Sequence, residues 1–258
     1  MTKLTWLGLL LLTCVGNLSL AKASSCQSSG YHSQVKLKQV LDADLIELAS
    51  GQLVRLIGVQ APLRKRPAEP NTIEIAKQST AQLQAILDKQ AYLNLVLDKA
   101  LLDNDNHMLA HLFLADGQNV QQLLLQQGAV QLDIQQPNRM FWQCYFQAQL
   151  TAMRKENGVW AHADFQAKPA EQARYSTNVS QNWLGRVFRV FEQNQSTWLV
   201  LNDWLYVEIP NKVHKKHFKK LNLHQLKGQQ VLVDSSVSYK NNRWQALVSE
   251  PWQFVSHF

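Results

Sequence analysis

Apolar and polar residues alternate along much of the first half of the chain. The stretch from Val35 to Val59, VKLKQVLDADLIELASGQLVRLIGV, alternates on both sides of a Ser50-Gly51 turn, which predicts a hairpin of at least two strands. Two further alternating stretches, AYLNLVLD and MLAHLFL, flank the turn sequence DNDNH. The pattern therefore predicts at least four strands.

Three segments have helical periodicity instead. One face of the first predicted helix, from about Thr72 to Leu87, carries Ile73, Ala76, Leu83 and Leu87, and Asn71 and Glu74 have the spacing of a capping pair. A second, short helix is predicted from Val120, Leu123 and Leu124 and is ended by Gly128. The third opens at Pro137-Asn138 and closes before Gly158.

The strand pattern starts again after a polar stretch without periodicity at 162–181, which we interpret as a linker. Three predicted strands (WLGRVFRVFE, STWLVLN, DWLYVEI) precede a basic, helix-like segment, KVHKKHFKKLNLHQL, and two more follow it (QQVLVDSSVS, RWQALVSE). This order is typical of a small five-stranded barrel, a type that binds oligonucleotides or packs against a neighbour.

The first residues have the pattern of an export signal. Lys3 gives a positive start, Leu4 to Val15 are almost all apolar, and Ala21-Lys22-Ala23 is a small-x-small cleavage site. We expect cleavage after Ala23 and a periplasmic or secreted protein. The alternative is a membrane anchor, but the apolar run is shorter than the ~20 residues of a spanning helix, and no other stretch is a candidate for one.

Composition adds limits but no function. The chain has 258 residues, of which 46% are hydrophobic and 17% charged, which is typical of globular domains and not of a disordered chain. Removing residues 1–23 takes away Lys3 and Lys22 and no acid, which lowers the net charge from +7 to +5. This charge permits contact with nucleic acid without requiring it.

Cleavage would also remove Cys14 and leave Cys26 and Cys144 in a compartment where disulfides persist. A single Cys26–Cys144 disulfide is the simplest prediction. Two free thiols are the alternative.

The order of these stretches resembles that of a staphylococcal-nuclease (thermonuclease-like) domain over roughly Val35 to Trp160. VLDADLIEL is similar to that family's V-x-D-G-D-T-x-x-L, and GQLVRLIGVQAP to G-x-x-V-R-L-x-G-I-D-x-P-E. LLDNDNHMLAHLFLADGQNVQQLLLQQGAV and NGVW resemble the two later stretches, D-x-Y-G-R-x-L-A to G-x-A and G-L-W.

The resemblance implies an α+β, mainly β, fold: an OB-fold-like barrel with three helices, followed by the second, small OB-like barrel. The predicted organisation is a signal peptide at 1–23, an N-terminal segment at 24–34, the nuclease-like domain at 35–161, the linker at 162–181 and the second barrel at 182–258.

Family members cut phosphodiesters with Ca²⁺, which two aspartates hold, while a glutamate activates water and two arginines stabilise the charge on the transition state. Asp44 stands where the resemblance places the first calcium ligand, and Arg55 where it places the first catalytic arginine. The other three positions hold Gln60, Leu63 and His107. A neutral amide, an apolar side chain and an imidazole do not replace those groups.

The sequence therefore predicts a largely eroded nuclease site. We expect no cofactor, or Ca²⁺ if the residual site is active. The leading hypothesis is a non-catalytic module that binds nucleic acid, another polyanion or a periplasmic protein. The alternatives are a weak or altered calcium-dependent phosphodiesterase acting through Asp44 and Arg55, and a structural envelope component. Asp44 can equally be satisfied by backbone amides, and Arg55 by a salt bridge with Asp44.

Three other groups are candidates for binding. The run Arg64, Lys65 and Arg66 beside the eroded site can steer a polyanion or simply be solvated. DNDNHMLAH brings together Asp103, Asp105, His107 and His111, which is either a metal site or a hairpin turn with a surface histidine. In the second barrel, lysines and aromatic residues fit either single-strand binding or an ordinary core: Lys212, Lys215, Lys216, Lys219, Lys220, Trp198, Trp204, Tyr206 and Trp244.

Overall fold

The computed structural model describes residues 26–62, 70–175, 180–256 and 258. The predicted signal peptide at 1–23 lies outside the described residues, as do Leu63 and the basic run Arg64, Lys65 and Arg66. In the described part of the chain, no helix combines the length and the apolar character needed to cross a membrane.

The first half of the chain folds into a closed five-stranded barrel. Its strands are β1 (Ser33–Val35), β2 (Leu37–Asp42), β3 (Leu45–Leu48), β4 (Leu53–Leu56), β6 (Leu93–Val96) and β7 (Met108–Phe113), with β5 (Gly58–Gln60) outside the barrel. They pair in the order β1-β6-β7-β4-β3-β2, and β1 runs into β2 through Lys36, so the two edges of the sheet are one strand. All pairs are antiparallel except β4 with β7. This is the OB-fold arrangement.

Three helices accompany this barrel, as the sequence predicted. They are α1 (Pro70–Leu87), which joins the third barrel strand to the fourth, α2 (Val120–Gln127) and α3 (Trp142–Arg154). The Asn119 side chain caps the start of α2 by accepting the N–H of Gln122, and Gly128 ends it at φ +68°. Between α2 and α3, β8 (Gln131–Asp133) pairs with β5.

The third helix begins at Trp142, five residues later than the expected start at Pro137. The reason is a tertiary contact of Asn138. Its side-chain Oδ1 accepts the N–H of Ala100 at 2.7 Å and its Nδ2 donates to the C=O of Ala100 at 2.8 Å. Asn138 is therefore held against the loop before β7, and the segment ahead of Trp142 is a turn.

The second half folds into another barrel of the same topology. Its strands are β10 (Gln181–Gln193), β11 (Ser196–Leu201), β12 (Leu205–Pro210), β13 (Gln230–Ser235), β14 (Val237–Lys240) and β15 (Arg243–Leu247), with β16 (Phe254–Val255) at one edge. β13 runs into β14 through Ser236, the pair β12 and β15 is parallel, and the helix α4 (Asn211–His217) follows the third strand. The predicted five-stranded OB-like barrel is confirmed.

The basic segment of this barrel is only partly helical. α4 ends at His217, because His214 Nε2 bonds to the C=O of Leu221 at 2.8 Å and the chain folds back. A separate 3₁₀ turn, Leu223–Leu226, is capped by the Asn222 side chain. The sequence had predicted one helix through this whole segment.

The described part of the polar stretch at 162–181, residues 162–175 and 180–181, contains regular structure and buried residues. Within it, β9 (Lys168–Pro169) pairs in parallel with Trp183 and Leu184 of β10, and a 3₁₀ helix covers Ala170–Tyr175. Phe165, Ala170 and Ala173 are buried. Apolar side chains therefore anchor the described part of this stretch to its surroundings. The linker and the domain boundaries remain predictions.

The two barrels contact one another. The rings of Trp142 and Trp252 lie 5.6 Å apart, and the side chains of Gln136 and Glu250 are hydrogen bonded. A shared apolar cluster joins Trp160 of the first half to Leu232 of the second. These contacts hold α3 and the segments on either side of it against the second half of the chain.

A disulfide joins Cys26 to Cys144, across 118 positions of sequence and with the Cα atoms 5.6 Å apart. It ties the segment before β1 to the first turns of α3. Both cysteines belong to the apolar core of the first barrel.

Loss of this disulfide will destabilise the protein. The double variant Cys26→Ser/Cys144→Ser frees a loop of more than 100 residues in the unfolded chain, and we expect the free energy of unfolding to fall by about 2–4 kcal/mol. Urea unfolding followed by tryptophan fluorescence measures the change. Reduced wild-type protein should match the variant; an oxidised wild type no more stable than the variant would contradict the expectation.

Candidate functional site

Arg55 lies in the middle of β4, between the buried residues Val54 and Leu56. Its side chain is only 10% exposed, and three of its nitrogens have partners. Nη1 donates to Asp44 Oδ1 at 2.8 Å, Nε donates to Asp103 Oδ2 at 3.2 Å, and Nη2 lies 3.3 Å from His107 Nδ1. The guanidinium is thus enclosed by two carboxylates and an imidazole.

Asp44 is fully buried in the turn between β2 and β3. Besides the Arg55 contact at Oδ1, its Oδ2 accepts the N–H of Ala61 at 2.9 Å, and its backbone C=O accepts the N–H of Leu56 at 2.9 Å. Asp44 therefore holds the start of the loop that follows β5. The sequence left two structural partners open for Asp44, a backbone amide and Arg55, and the structure contains both contacts.

Asp103 organises the turn that precedes β7. Its Oδ1 accepts the N–H groups of Asp105 and His107, both at 2.9 Å, and its Oδ2 faces Arg55 and the His107 ring. Asn106 completes the turn at φ +64°, where the family pattern has glycine. A neutral His107 ring can satisfy one neighbour at a time, by accepting from Arg55 or by donating to Asp103 at 3.0 Å.

This environment strongly favours the ionised form of Asp103. Partial burial acts to raise the pKa of its carboxyl, but hydrogen bonds from the backbone and ring of His107 and from Arg55 outweigh burial and lower the pKa to about 2. Asp44, Arg55, Asp103 and His107 therefore form one hydrogen-bonded group, in which a single guanidinium pairs with two carboxylates, and we call it the Arg55 network.

A cleft of about 620 Å³ opens over this network. Gly58, at φ +83°, leads the chain from β4 into its wall; a Cβ there would come within 2.8 Å of the Tyr145 ring. Among the lining residues that the structure describes, Arg55 is the only basic one. The other polar residues of this lining are acids and amides: Asp103, Asp105, Asp133, Asn104, Asn138, Gln60, Gln135 and Gln136. The described lining is thus more acidic than basic.

His111 lies apart from His107: it is within β7, whereas His107 immediately precedes that strand, and the sequence pattern had put both on one strand. It is buried, its Nδ1 lies 2.8 Å from the Tyr145 hydroxyl, and its Nε2 is 3.8 Å from Asp98. Burial lowers the pKa of His111, against the opposing effect of Asp98. The remaining ligand atoms of Asp103, Asp105 and His107 lie within 4.8 Å of one another. The idea of a site that includes His111 was therefore wrong.

The residues around Arg55 fit a calcium ion of the family type poorly. Ca²⁺ requires carboxylate or carbonyl oxygens with free lone pairs directed at it. Asp44 instead shares its two oxygens with a guanidinium and a backbone N–H, and Gln60 contributes a neutral amide. A cation here would have to displace the positive charge of Arg55.

Sequence reasoning placed Asp44, Arg55 and His107 at one site, and the structure brings them together. It missed Asp103 as the second carboxylate on Arg55. A signal was present, since an aspartate that begins a four-residue polar turn commonly accepts the N–H two positions later. In the second barrel, Trp198 and Tyr206 lie together, whereas Trp204 faces Arg174 and Trp244 contacts Tyr239.

The closed barrel, its three helices and the position of the Arg55 network define an OB-fold domain of the nuclease-like class. Residues 53–162 match the family model described as staphylococcal nuclease homologue, so this part of the chain is a staphylococcal-nuclease-like domain. The matched range contains Arg55, Gln60 and His107; Asp44 lies before it, in the strands that complete the same barrel. Among curated proteins, no significant match was found.

The Asp44–Arg55 pair should be essential for stability. Arg55→Met would leave a buried carboxylate without its counter-charge, so we expect the free energy of unfolding to fall by about 3–5 kcal/mol. Chemical denaturation measures it. The matched control is Lys38→Met, which breaks the surface pair with Glu47, also 2.8 Å long, and should leave the midpoint unchanged. Equal effects of the two substitutions would contradict a buried structural role.

The low pKa of Asp103 predicts an acid-sensitive stability. Its folded pKa is depressed from 3.8 to about 2, so its stabilising effect is full above the unfolded value and is lost as pH falls from 3.8 toward 2. Asp103→Asn should therefore flatten the loss of stability in this window, measured by urea midpoints at several pH values. Asp105→Asn is the control and should keep the wild-type slope. An unchanged slope in Asp103→Asn would be the contrary result.

Proposed function

We propose that the staphylococcal-nuclease-like domain is a binding domain with little or no nuclease activity. The observation that carries this proposal is the Arg55 network, in which the guanidinium expected to meet phosphate is already paired with Asp44 and Asp103. A transition-state clamp requires donors directed at the developing charge and not already occupied. In this domain, Arg55 maintains the barrel and the loop after β5.

The chemistry around Arg55 supports the same conclusion. Gln60 stands where the family has a second metal-binding carboxylate, and His107, where it has an arginine, contacts Asp103 and Arg55. Leu63 stands at the position of the glutamate that activates water. Loss of such a general base typically costs ~10² to 10⁴ in rate, and loss of a charge-stabilising donor such as the second arginine costs ~10² to 10³. Because these requirements act together, the domain would retain little hydrolysis.

The charge of the cleft favours a protein ligand over a polyanion at this position. Among the lining residues that the structure describes, Asp103, Asp105 and Asp133 outnumber the one arginine, and phosphates approaching these carboxylates would be repelled. Exposed Leu101 and Leu102 lie on the segment that leads into Asp103. A partner segment that carries basic and apolar side chains fits this surface best.

The site of action that we propose is outside the cytoplasm. The signal-like first 23 residues are the basis for this proposal, and the Cys26–Cys144 disulfide is compatible with it, since such bonds persist in oxidising compartments. A periplasmic or secreted protein of this kind would meet both envelope proteins and free nucleic acid.

The alternative function is an altered phosphodiesterase. The cluster of Asp103, Asp105 and His107 supports it, because oxygen and imidazole ligands so close together can take a divalent cation. However, Asp103 is already bonded to Arg55, so a cation would compete with the network. Calcium dependence separates this function from the leading one.

The deciding experiment is a cleavage assay on single-stranded DNA with excess Ca²⁺. We expect the purified wild-type protein to cleave no faster than the Asp44→Asn/Arg55→Met double variant, each checked for folding by circular dichroism at the assay temperature. Lys38→Met serves as the folded control variant with an intact Arg55 network. Calcium-dependent cleavage by the wild type and Lys38→Met that disappears in the double variant would overturn the proposal, as would a calcium-dependent rise in Tm.

A further inference from the structure

Aromatic and arginine side chains cluster on the outer surface of the second barrel. They belong to β10, β11, β12 and β15, and we call them the aromatic–arginine face: Arg189, Phe191, Trp198, Tyr206 and Arg243. The register explains the cluster, because Phe191 pairs with Trp198 across β10 and β11, and Arg189 and Tyr206 both pair with Val200 of β11. Residues opposite each other in a sheet project on the same side.

The rings of this face have the geometry of a stacking platform. Phe191 and Trp198 are almost parallel, with an interplanar angle of 9° and centroids 6.3 Å apart, and Tyr206 meets Phe191 edge-on at 6.5 Å. Phe191 and Tyr206 are each partly exposed. A planar ligand can therefore reach aromatic surface here.

The two arginines lie over these rings. The Arg243 guanidinium is 5.0 Å from the centroid of Tyr206 and 5.6 Å from that of Trp198, and the Arg189 guanidinium is 5.4 Å from that of Phe191. Arg189 Nη2 also donates to the Tyr206 hydroxyl at 3.2 Å. Within the described ranges, neither arginine forms a salt bridge with a carboxylate. Two cations are thus held on aromatic faces, available to an anion.

The core of the barrel does not account for these rings. Burial alternates strictly along β12, where Leu205, Val207 and Ile209 are fully buried and Tyr206 is partly exposed. The interior of β11 is likewise filled by Leu199 and Leu201. On β11 and β12, aliphatic side chains therefore face the core, and Trp198 and Tyr206 lie on the opposite side of the sheet.

Charges of both signs lie around the face. Glu208, two residues after Tyr206 on β12, accepts a hydrogen bond from Ser196, and Lys240 lines the same cavity as Glu208. The lysine-bearing helix α4 begins directly after β12, and its first N–H, of Asn211, donates to the C=O of Gln195 in the β10–β11 turn. Basic side chains thus continue along the chain from the strands that carry the platform.

We propose that the aromatic–arginine face binds single-stranded nucleic acid. Bases would stack on Phe191 and Tyr206, and Arg189 and Arg243 would turn from the rings to the phosphates, the combination that single-strand binders use. The face includes residues of the second and third strands of a closed five-stranded barrel, the surface on which such barrels bind oligonucleotides, and extends onto the neighbouring first and fifth strands. This inference goes beyond the proposed function and does not depend on it, because the face and the Arg55 network are on different barrels.

The test is fluorescence anisotropy of a labelled 20-nucleotide poly-dT with the purified full chain in EDTA, which removes calcium-dependent binding and cleavage. We expect saturable binding that weakens as salt rises. Phe191→Ala should weaken it roughly tenfold or more through lost stacking. Arg243→Gln should weaken it and reduce the salt slope by about 1, while Arg243→Lys should keep the slope.

The matched control is Arg186→Gln. Arg186 is an exposed arginine of the same strand as Arg189, but its Nη1 donates to the C=O of Gly228 and it takes no part in the aromatic contacts that define the face. Its loss should leave the affinity unchanged, and thermal unfolding should show every variant folded. Failure to bind poly-dT, wild-type affinity in Phe191→Ala and Arg243→Gln, or equal competition by heparin would each overturn the proposal. None of these results bears on cleavage by the first barrel.

Discussion

The ion pair between Asp44 and Arg55 is the contact on which the first barrel depends. Asp44 is buried between the first two barrel strands and also binds the N–H of Ala61, while Arg55 on the third strand reaches Asp103 in the turn before the fifth. One guanidinium thus connects three separate parts of the fold. Charges enclosed in this way stabilise a protein only while every partner is present, so these residues are constrained by structure whether or not any chemistry remains.

This structural role of Asp44 and Arg55 bears on the activity that we propose for the domain. A nuclease of this class needs carboxylates that face a metal and arginines that face a phosphate. Here Asp44 and Arg55 face one another, and Gln60 and His107 stand where the family has a second aspartate and a second arginine. The barrel, its three helices and its cleft are present, while Arg55 is paired with Asp44 and Asp103. This pairing is the basis of our proposal that the domain binds a ligand without cleaving it.

The two barrels share one topology but differ in where they place their polar chemistry. The first holds a charged network beneath an acidic cleft, and the second places two arginines over aromatic rings on its outer surface. Trp142 and Trp252 pack between them, and the apolar cluster around Trp160 and Leu232 makes the contact continuous. The molecule therefore places a buried ion-pair network in one unit and arginine–aromatic contacts on the outside of the other, connected unit.

The sequence by itself predicted the strands of both barrels, the existence of the three helices of the first barrel and the likeness to nucleases, because alternation, turn residues and spacing are local properties. For Cys26 and Cys144 it left open a disulfide or two free thiols, and the structure contains the disulfide. The sequence also placed Asp44, Arg55 and His107 at one site through that likeness. Only the tertiary structure decided that Asp103 shares Arg55, that His111 belongs to Tyr145, and that Asn138 delays the third helix to Trp142. The physical reason is that each of these contacts joins residues distant in the chain or chooses between partners, and local pattern carries no information on that choice.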